Sequence, residues 1–251
     1  MKSQVYIDPR PEEFFTKYHE RTRTRRPDWV YRLARVILTI PLLVFYRFRA
    51  IGVDIVPAQG PVILAPNHFS FFDHFFIAVV MRREVQFMAK SQLFRPPLLD
   101  FILTHGGTFP VRRGQKDEEA FVTAHSILDR GGTVLMYAEG GRSRSKRLGE
   151  PKPGLGRLVL ESGVPVIPIA IHGSQHLREA KRGRLSPKVT VHYGEPITYQ
   201  QVEHPTREQA QEVANEVFER VKAMYDALDA QGRRGVLAAL RAEHHRPVHN
   251  Y

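Results

Sequence analysis

The chain has 251 residues, 42% hydrophobic and 25% charged, enough apolar material for one large core, which excludes a disordered chain. Its formal charge of +11 points to an anionic partner: a phospholipid surface, a nucleic acid or a phosphorylated small molecule. There is no cysteine, which excludes disulfides, thiolate catalysis and cysteine-ligated zinc.

Residues 1–28 read as a polar, basic tail, with Arg21, Arg23, Arg25 and Arg26 clustered at its end and no secretory signal pattern. Residues 29–49 change character. An apolar run from Val36 to Tyr46 is bracketed by Arg32, Arg35, Arg47 and Arg49. The run is shorter than the ~20 residues of an ordinary span, and Pro41 kinks a helix. Trp29, Tyr31 and Tyr46 suit a headgroup interface. The segment is expected to form one or two amphipathic helices that associate with a membrane surface; a core helix is the other reading.

From residue 50 to about residue 200 the pattern is α/β. Strands are expected at 51–56, 62–65, 85–89, 107–111, 133–137, 165–171 and 189–192, and helices at 71–81, 94–103, 117–130 and 155–162. Residues 201–251 read as a helical segment with a basic tail. Its long helix spans 206–228, and Thr206 and Gln209 are spaced as a capping box. Strands alternating with helices predict an α/β fold with a mixed, mostly parallel central sheet flanked by helices.

The stretch Asn67-His68-Phe69-Ser70-Phe71-Phe72-Asp73 joins a short apolar strand to a helix. Catalytic groups in α/β sheets commonly sit at such strand ends. Asp73 follows His68 by five residues, about one helical turn, so its carboxylate can return to the imidazole. A carboxylate on one ring nitrogen fixes the tautomer and leaves the other nitrogen to take a proton, as a general base requires. The same residues also fit an Asn67 helix cap, a surface histidine and a first-turn aspartate.

Two further strand ends carry candidate ligands for a phosphate. Arg112 and Arg113 precede Gly114, and paired guanidiniums grip phosphate bidentately. Glu139-Gly140-Gly141-Arg142 follows the 133–137 strand. Its glycines permit close backbone approach, Arg142 is a phosphate donor, and Glu139 suits a hydroxyl or an arginine. The basic run from Arg142 to Arg147 lacks interleaved aromatics, so no nucleic-acid partner is expected. His172 and His176 are four apart, but the following Gly173 disfavours the helix a metal pair would need.

Four blocks in order resemble the glycerolipid acyltransferases of the 1-acyl-sn-glycerol-3-phosphate acyltransferase type. His68 to Asp73 is similar to that family's H-x4-D block, and Gly107 to Gly114 to its second block, where Arg113 falls at the phosphate-binding arginine. Tyr137-Ala138-Glu139-Gly140-Gly141-Arg142-Ser143 resembles the third, usually F-P-E-G-T-R-S, and Val164 to Ala170 the apolar fourth. The likeness runs from about residue 50 to about residue 197. Ala138 and Gly141 depart from the usual proline and threonine, and Arg112 stands where an acidic residue is frequent; these changes bear on the acceptor more than on the reaction.

The resemblance implies acyl transfer from acyl-CoA or acyl carrier protein to the hydroxyl of lysophosphatidic acid. His68 would act as base and Asp73 as its orienting partner. Arg112, Arg113, Glu139, Gly140, Gly141 and Arg142 would bind the acceptor. Neither a cofactor nor a metal is implied. The expected partner is a phospholipid membrane at its cytoplasmic face. Another lysophospholipid, glycerol 3-phosphate or a glycolipid remains an alternative acceptor, and a non-catalytic basic binding module an alternative role.

Overall fold

The computed structural model describes residues 8–112, 117–143, 145–179 and 187–244. In chain order the helices are α1 (Glu13–Thr24), α2 (Trp29–Phe45), α3 (Asp73–Ala78), α4 (Pro97–His105), α5 (Glu118–Asp129), α6 (Pro153–Ser162) and α7 (Arg207–His244). The strands are β1 (Arg49–Ile51), β2 (Val62–Pro66), β3 (Gln86–Lys90), β4 (Thr108–Val111), β5 (Thr133–Leu135), β6 (Val166–His172) and β7 (Thr190–Tyr193). They form one sheet in the order β1-β7-β6-β2-β5-β3-β4. All neighbours are parallel except β6 and β7, so the expected mixed, mostly parallel sheet is present.

Both sheet faces are covered, and β2 shows why its sequence is uniformly apolar. Ile63 and Ala65 point into a core shared with Ala124 and Ile127 of α5, Leu158 of α6 and Val217 of α7. Val62 and Leu64 point the other way, against Leu42 of α2 and Phe76 and Ile77 of α3. A strand buried on both faces has no polar alternation to show. Parallel pairing also puts the carboxyl ends of β2, β3, β4, β5 and β6 at one edge of the sheet.

Several expected boundaries shift. The first strand ends at Ile51, because Gly52 takes a left-handed φ of 72° and a 3₁₀ turn follows at Val53–Ile55. A Cβ at Gly52 would stand 2.7 Å from the Tyr193 carbonyl oxygen, so the turn needs glycine. Residues read as a polar tail contain α1. Its Phe15 and Tyr18 are buried with Phe94 and Leu103, a contribution that a mostly charged sequence hides. The 206–228 helix extends to His244 across a break at Gly232, and Thr206 and Gln209 make both bonds of the capping box.

Helix α2 is continuous through Pro41, with Asp28 capping its first turn through the Val30 N–H. Val30, Tyr31 and Leu42 are buried, and α2 packs on α3 and α4. Leu33, Val36, Ile37, Ile40 and Val44 are exposed at helical spacing along its other side. Among the described residues no helix is long and apolar enough to cross a membrane.

Helices α6 and α7 approach closely at Gly156, where an added Cβ would lie 1.8 Å from the Ala210 carbonyl oxygen. Backbone cannot yield as a side-chain tip can, so Gly156→Ala is expected to destabilise the fold by about 1–3 kcal/mol. Urea unfolding followed by circular dichroism measures the loss.

Candidate active site

The site begins where β2 runs out. Asn67 is fully buried, and its side chain binds β6 twice. Nδ2 donates to the Ile171 carbonyl at 3.0 Å, and Oδ1 accepts from the Ile171 N–H at 2.7 Å. Asn67 is therefore a brace to the neighbouring strand rather than the helix cap that its spacing also allowed. His68 follows. Its N–H donates to Glu139 Oε1 at 2.8 Å, and its carbonyl accepts from the Ser143 N–H at 2.8 Å. The His68 backbone is thus tied on both sides to the loop after β5.

The turn from Phe69 to Phe72 brings Asp73, the first residue of α3, back to His68. Asp73 Oδ2 accepts from His68 Nδ1 at 2.9 Å and from the N–H groups of Phe69 and Ser70, both at 2.7 Å. Asp73 is completely buried, whereas His68 keeps 8% of its surface exposed. With Nδ1–H committed to the carboxylate, Nε2 is the nitrogen that can take a proton. The Tyr137 ring lies flat on the imidazole, with centroids 3.7 Å apart and planes inclined by 17°.

Glu139 lies across the strand ends. Besides the His68 N–H on Oε1, its Oε2 accepts from the Gly149 N–H at 2.8 Å. A Cβ at Gly149 would fall 2.6 Å from Oε2, so glycine lets this backbone reach the carboxylate. Burial pushes the Glu139 carboxyl up to about 7, against the opposing pull of the two N–H donors. Gly140 turns the chain with a φ of 65°, and Arg142 follows, half-buried, its charge felt by His74 and Tyr137.

The Acyltransferase family model matches residues 47–172, half of the chain. The chain belongs to the Acyltransferase family. It is 26% identical over 145 residues to a chloroplastic 1-acyl-sn-glycerol-3-phosphate acyltransferase of Arabidopsis thaliana, covering 57% of this chain and 40% of that protein. It is 29% identical over 119 residues to a glycerol-3-phosphate acyltransferase of Pseudomonas fluorescens, covering 44% of this chain and 14% of that one. The chain thus spans well under half of the length of these curated relatives. A crystal structure of the 1-acyl-sn-glycerophosphate acyltransferase of Thermotoga maritima has the same fold, with a TM-score of 0.58 and 22% identity. That match covers 86% of this chain and 89% of the other.

In this member of the family the structure brings together His68, Asp73, Glu139, Gly140 and Arg142 but commits two expected acceptor ligands elsewhere. The Arg112 guanidinium pairs with Glu12 at 2.6 Å, and the Arg112 backbone N–H donates to Asp117, so the residue fastens the end of β4 to the start of α1 and α5. Glu139 has both oxygens on backbone donors. Arg113 lies outside the described residues. His172 pairs with Asp229 at 3.1 Å. Among the described residues no three acidic or histidine side chains are placed to hold a metal. Sequence reasoning passed over two contributors, Asn67 as a brace and Tyr137 as a stacking partner. Only the adjacency of β2 with β5 and β6 could have disclosed them.

The raised proton affinity of Glu139 has a thermodynamic consequence. A carboxyl whose folded value exceeds its unfolded value of 4.5 contributes most below that pH, and the contribution is lost as pH rises through about 7. Between pH 5 and 8 the wild type is expected to lose stability relative to Glu139→Gln, which carries no titrating group there. Urea unfolding of both proteins at the two pH values checks this, and parallel profiles would contradict it.

Proposed function

We propose that the chain transfers a fatty acyl group from acyl-CoA or acyl carrier protein to the free hydroxyl of lysophosphatidic acid, giving phosphatidic acid. The observation that carries this reading is the buried His68–Asp73 pair at the end of β2. His68 Nε2 takes the acceptor's hydroxyl proton as the oxygen attacks the thioester carbonyl. The tetrahedral intermediate then collapses, the carbon–sulfur bond breaks, and the imidazolium returns the proton to the departing thiolate. Asp73 stabilises the imidazolium and remains ionised throughout. Arg113 and Arg142 bind the acceptor's phosphate, and the turn at Gly140 and Gly141 admits its glycerol.

Relatives named for 1-acyl-sn-glycerol-3-phosphate acylation support the acceptor, and those named for glycerol 3-phosphate acylation favour the alternative. Both acceptors offer a hydroxyl and a phosphate, so the same catalytic groups serve either.

The exposed face of α2 supports a membrane surface as the docking partner. Val36, Ile40 and Val44 are 70%, 68% and 63% exposed on one side of the helix, with Arg32 and Arg35 near its start. Leu98 and Phe101 of the adjacent α4 add to the exposed apolar surface. Such a helix lies in the headgroup region with its apolar side buried. The reading places the site at the cytoplasmic face, where the acyl donor arrives by diffusion and the lipid acceptor from the bilayer.

Thiol release from palmitoyl-CoA with lysophosphatidic acid, with mass detection of phosphatidic acid, tests the reaction. His68→Ala is expected to lower turnover by about 100- to 10,000-fold while the protein stays folded. Full activity in that variant would remove His68 from the chemistry, and thiol release without phosphatidic acid would indicate thioester hydrolysis or another acceptor. For docking, Val36→Asp combined with Ile40→Asp is expected to abolish flotation with anionic liposomes.

A further inference from the structure

Tyr137 occupies the position at which the acyltransferase pattern usually has phenylalanine, so it keeps a ring and adds a hydroxyl. Its placement follows from the sheet. Leu64 of β2 faces Leu135 of β5, and the Met136 N–H donates to the Leu64 carbonyl at 2.9 Å. The chains leaving the two strands therefore emerge side by side, and the Tyr137 ring comes to lie 3.7 Å from that of His68. The hydroxyl oxygen is shut off from solvent and has no hydrogen-bond partner among the described residues. Burial, reinforced by the charge of Asp73, holds that hydroxyl well above the ordinary phenol range, so the ring stays neutral.

We propose that Tyr137 is a positioning residue for His68, its ring face holding the imidazole in the plane that meets Asp73 and stabilising the imidazolium formed during acyl transfer. A neutral aromatic face attracts a cation above it, more strongly where water is excluded. The other groups around His68 act as follows. Asp73 favours the imidazolium from the Nδ1 side. Glu139 holds the His68 N–H. The charge of Arg142 reaches His74 and the Tyr137 hydroxyl. His74 is pushed down to about 3 by burial, and further by His68 and Arg142, and so adds no charge. Tyr137 meets the face of the imidazole, whereas Asp73 meets its edge. The buried hydroxyl has no part in this role, and a buried unpaired hydroxyl costs stability.

This inference rests on His68 acting as base, and the experiment separates the two. Tyr137→Phe and Tyr137→Leu are compared with wild type and His68→Ala in the palmitoyl-CoA and lysophosphatidic acid assay across pH. The His68 imidazole is titrated by NMR in the absence of substrate. Tyr137→Phe is expected to keep kcat within about 3-fold and to melt no lower than wild type, since it loses only the unpaired hydroxyl. Tyr137→Leu is expected to lose about 10-fold in kcat with little change in either KM, and to move the acid limb and the NMR midpoint to lower pH. Tyr137→Met, closer in volume, replaces Leu if that variant folds poorly. Wild-type kcat and midpoint in the Leu or Met variant would overturn the inference. A Phe variant as impaired as Leu would overturn it in favour of the hydroxyl. Turnover retained in His68→Ala would instead overturn the acyl-transfer mechanism.

Discussion

A single carboxylate oxygen, Oδ2 of Asp73, gathers three donors: the imidazole Nδ1–H of His68 and the backbone N–H groups of Phe69 and Ser70. A buried charge is tolerable only when hydrogen-bonded and balanced, and these donors supply that condition. The same bonds curl the chain between β2 and α3 into one shape. The path of the turn, the angle at which α3 leaves the sheet and the tautomer of His68 are one constraint. Moving the aspartate would undo all three together.

The surrounding structure holds this turn from both neighbouring strands. Asn67 fixes it to β6, and Glu139 and Ser143 fix it to the loop after β5. All of this depends on β2 lying between β5 and β6 with parallel register. The two cores then have a functional meaning beyond stability. They clamp β2 from both faces, so the strand that delivers His68 is among the most completely buried segments of the chain. If His68 acts as the proposed base, rigid delivery matters, because misplacement of about 1 Å can cost on the order of 100-fold in rate.

Charge is used differently at the edge of the site. Arg112 and Glu139 are charged residues in motif positions, yet both are engaged by the protein itself. Arg112 is held by Glu12, which precedes the α1 helix that covers β4. Glu139 joins two loops through backbone N–H groups. Arg142 lies half-buried at the turn after β5, with its field reaching His74 and Tyr137. A charged residue near the His68–Asp73 pair can thus be drawn into shaping the loops, as Arg112 and Glu139 are.

From residue 29 onward the sequence alone determined the order of the main strands and helices, because uniform apolar runs and amphipathic periods are local signals set by burial. It also suggested the His68–Asp73 pair, since a five-residue spacing at a strand-to-helix junction lets the carboxylate return to the imidazole, but the same spacing allowed a surface histidine and a first-turn aspartate. It could not disclose α1 as part of the core, because only Phe15, Tyr18 and a few companions are buried on an otherwise charged helix. Nor could it distinguish Asn67 as a brace from Asn67 as a cap, or show Tyr137 lying on His68. Those contacts join residues separated by about 70 to 100 positions. They exist only because parallel pairing sets the ends of β2, β5 and β6 side by side, and that adjacency is a property of the folded sheet.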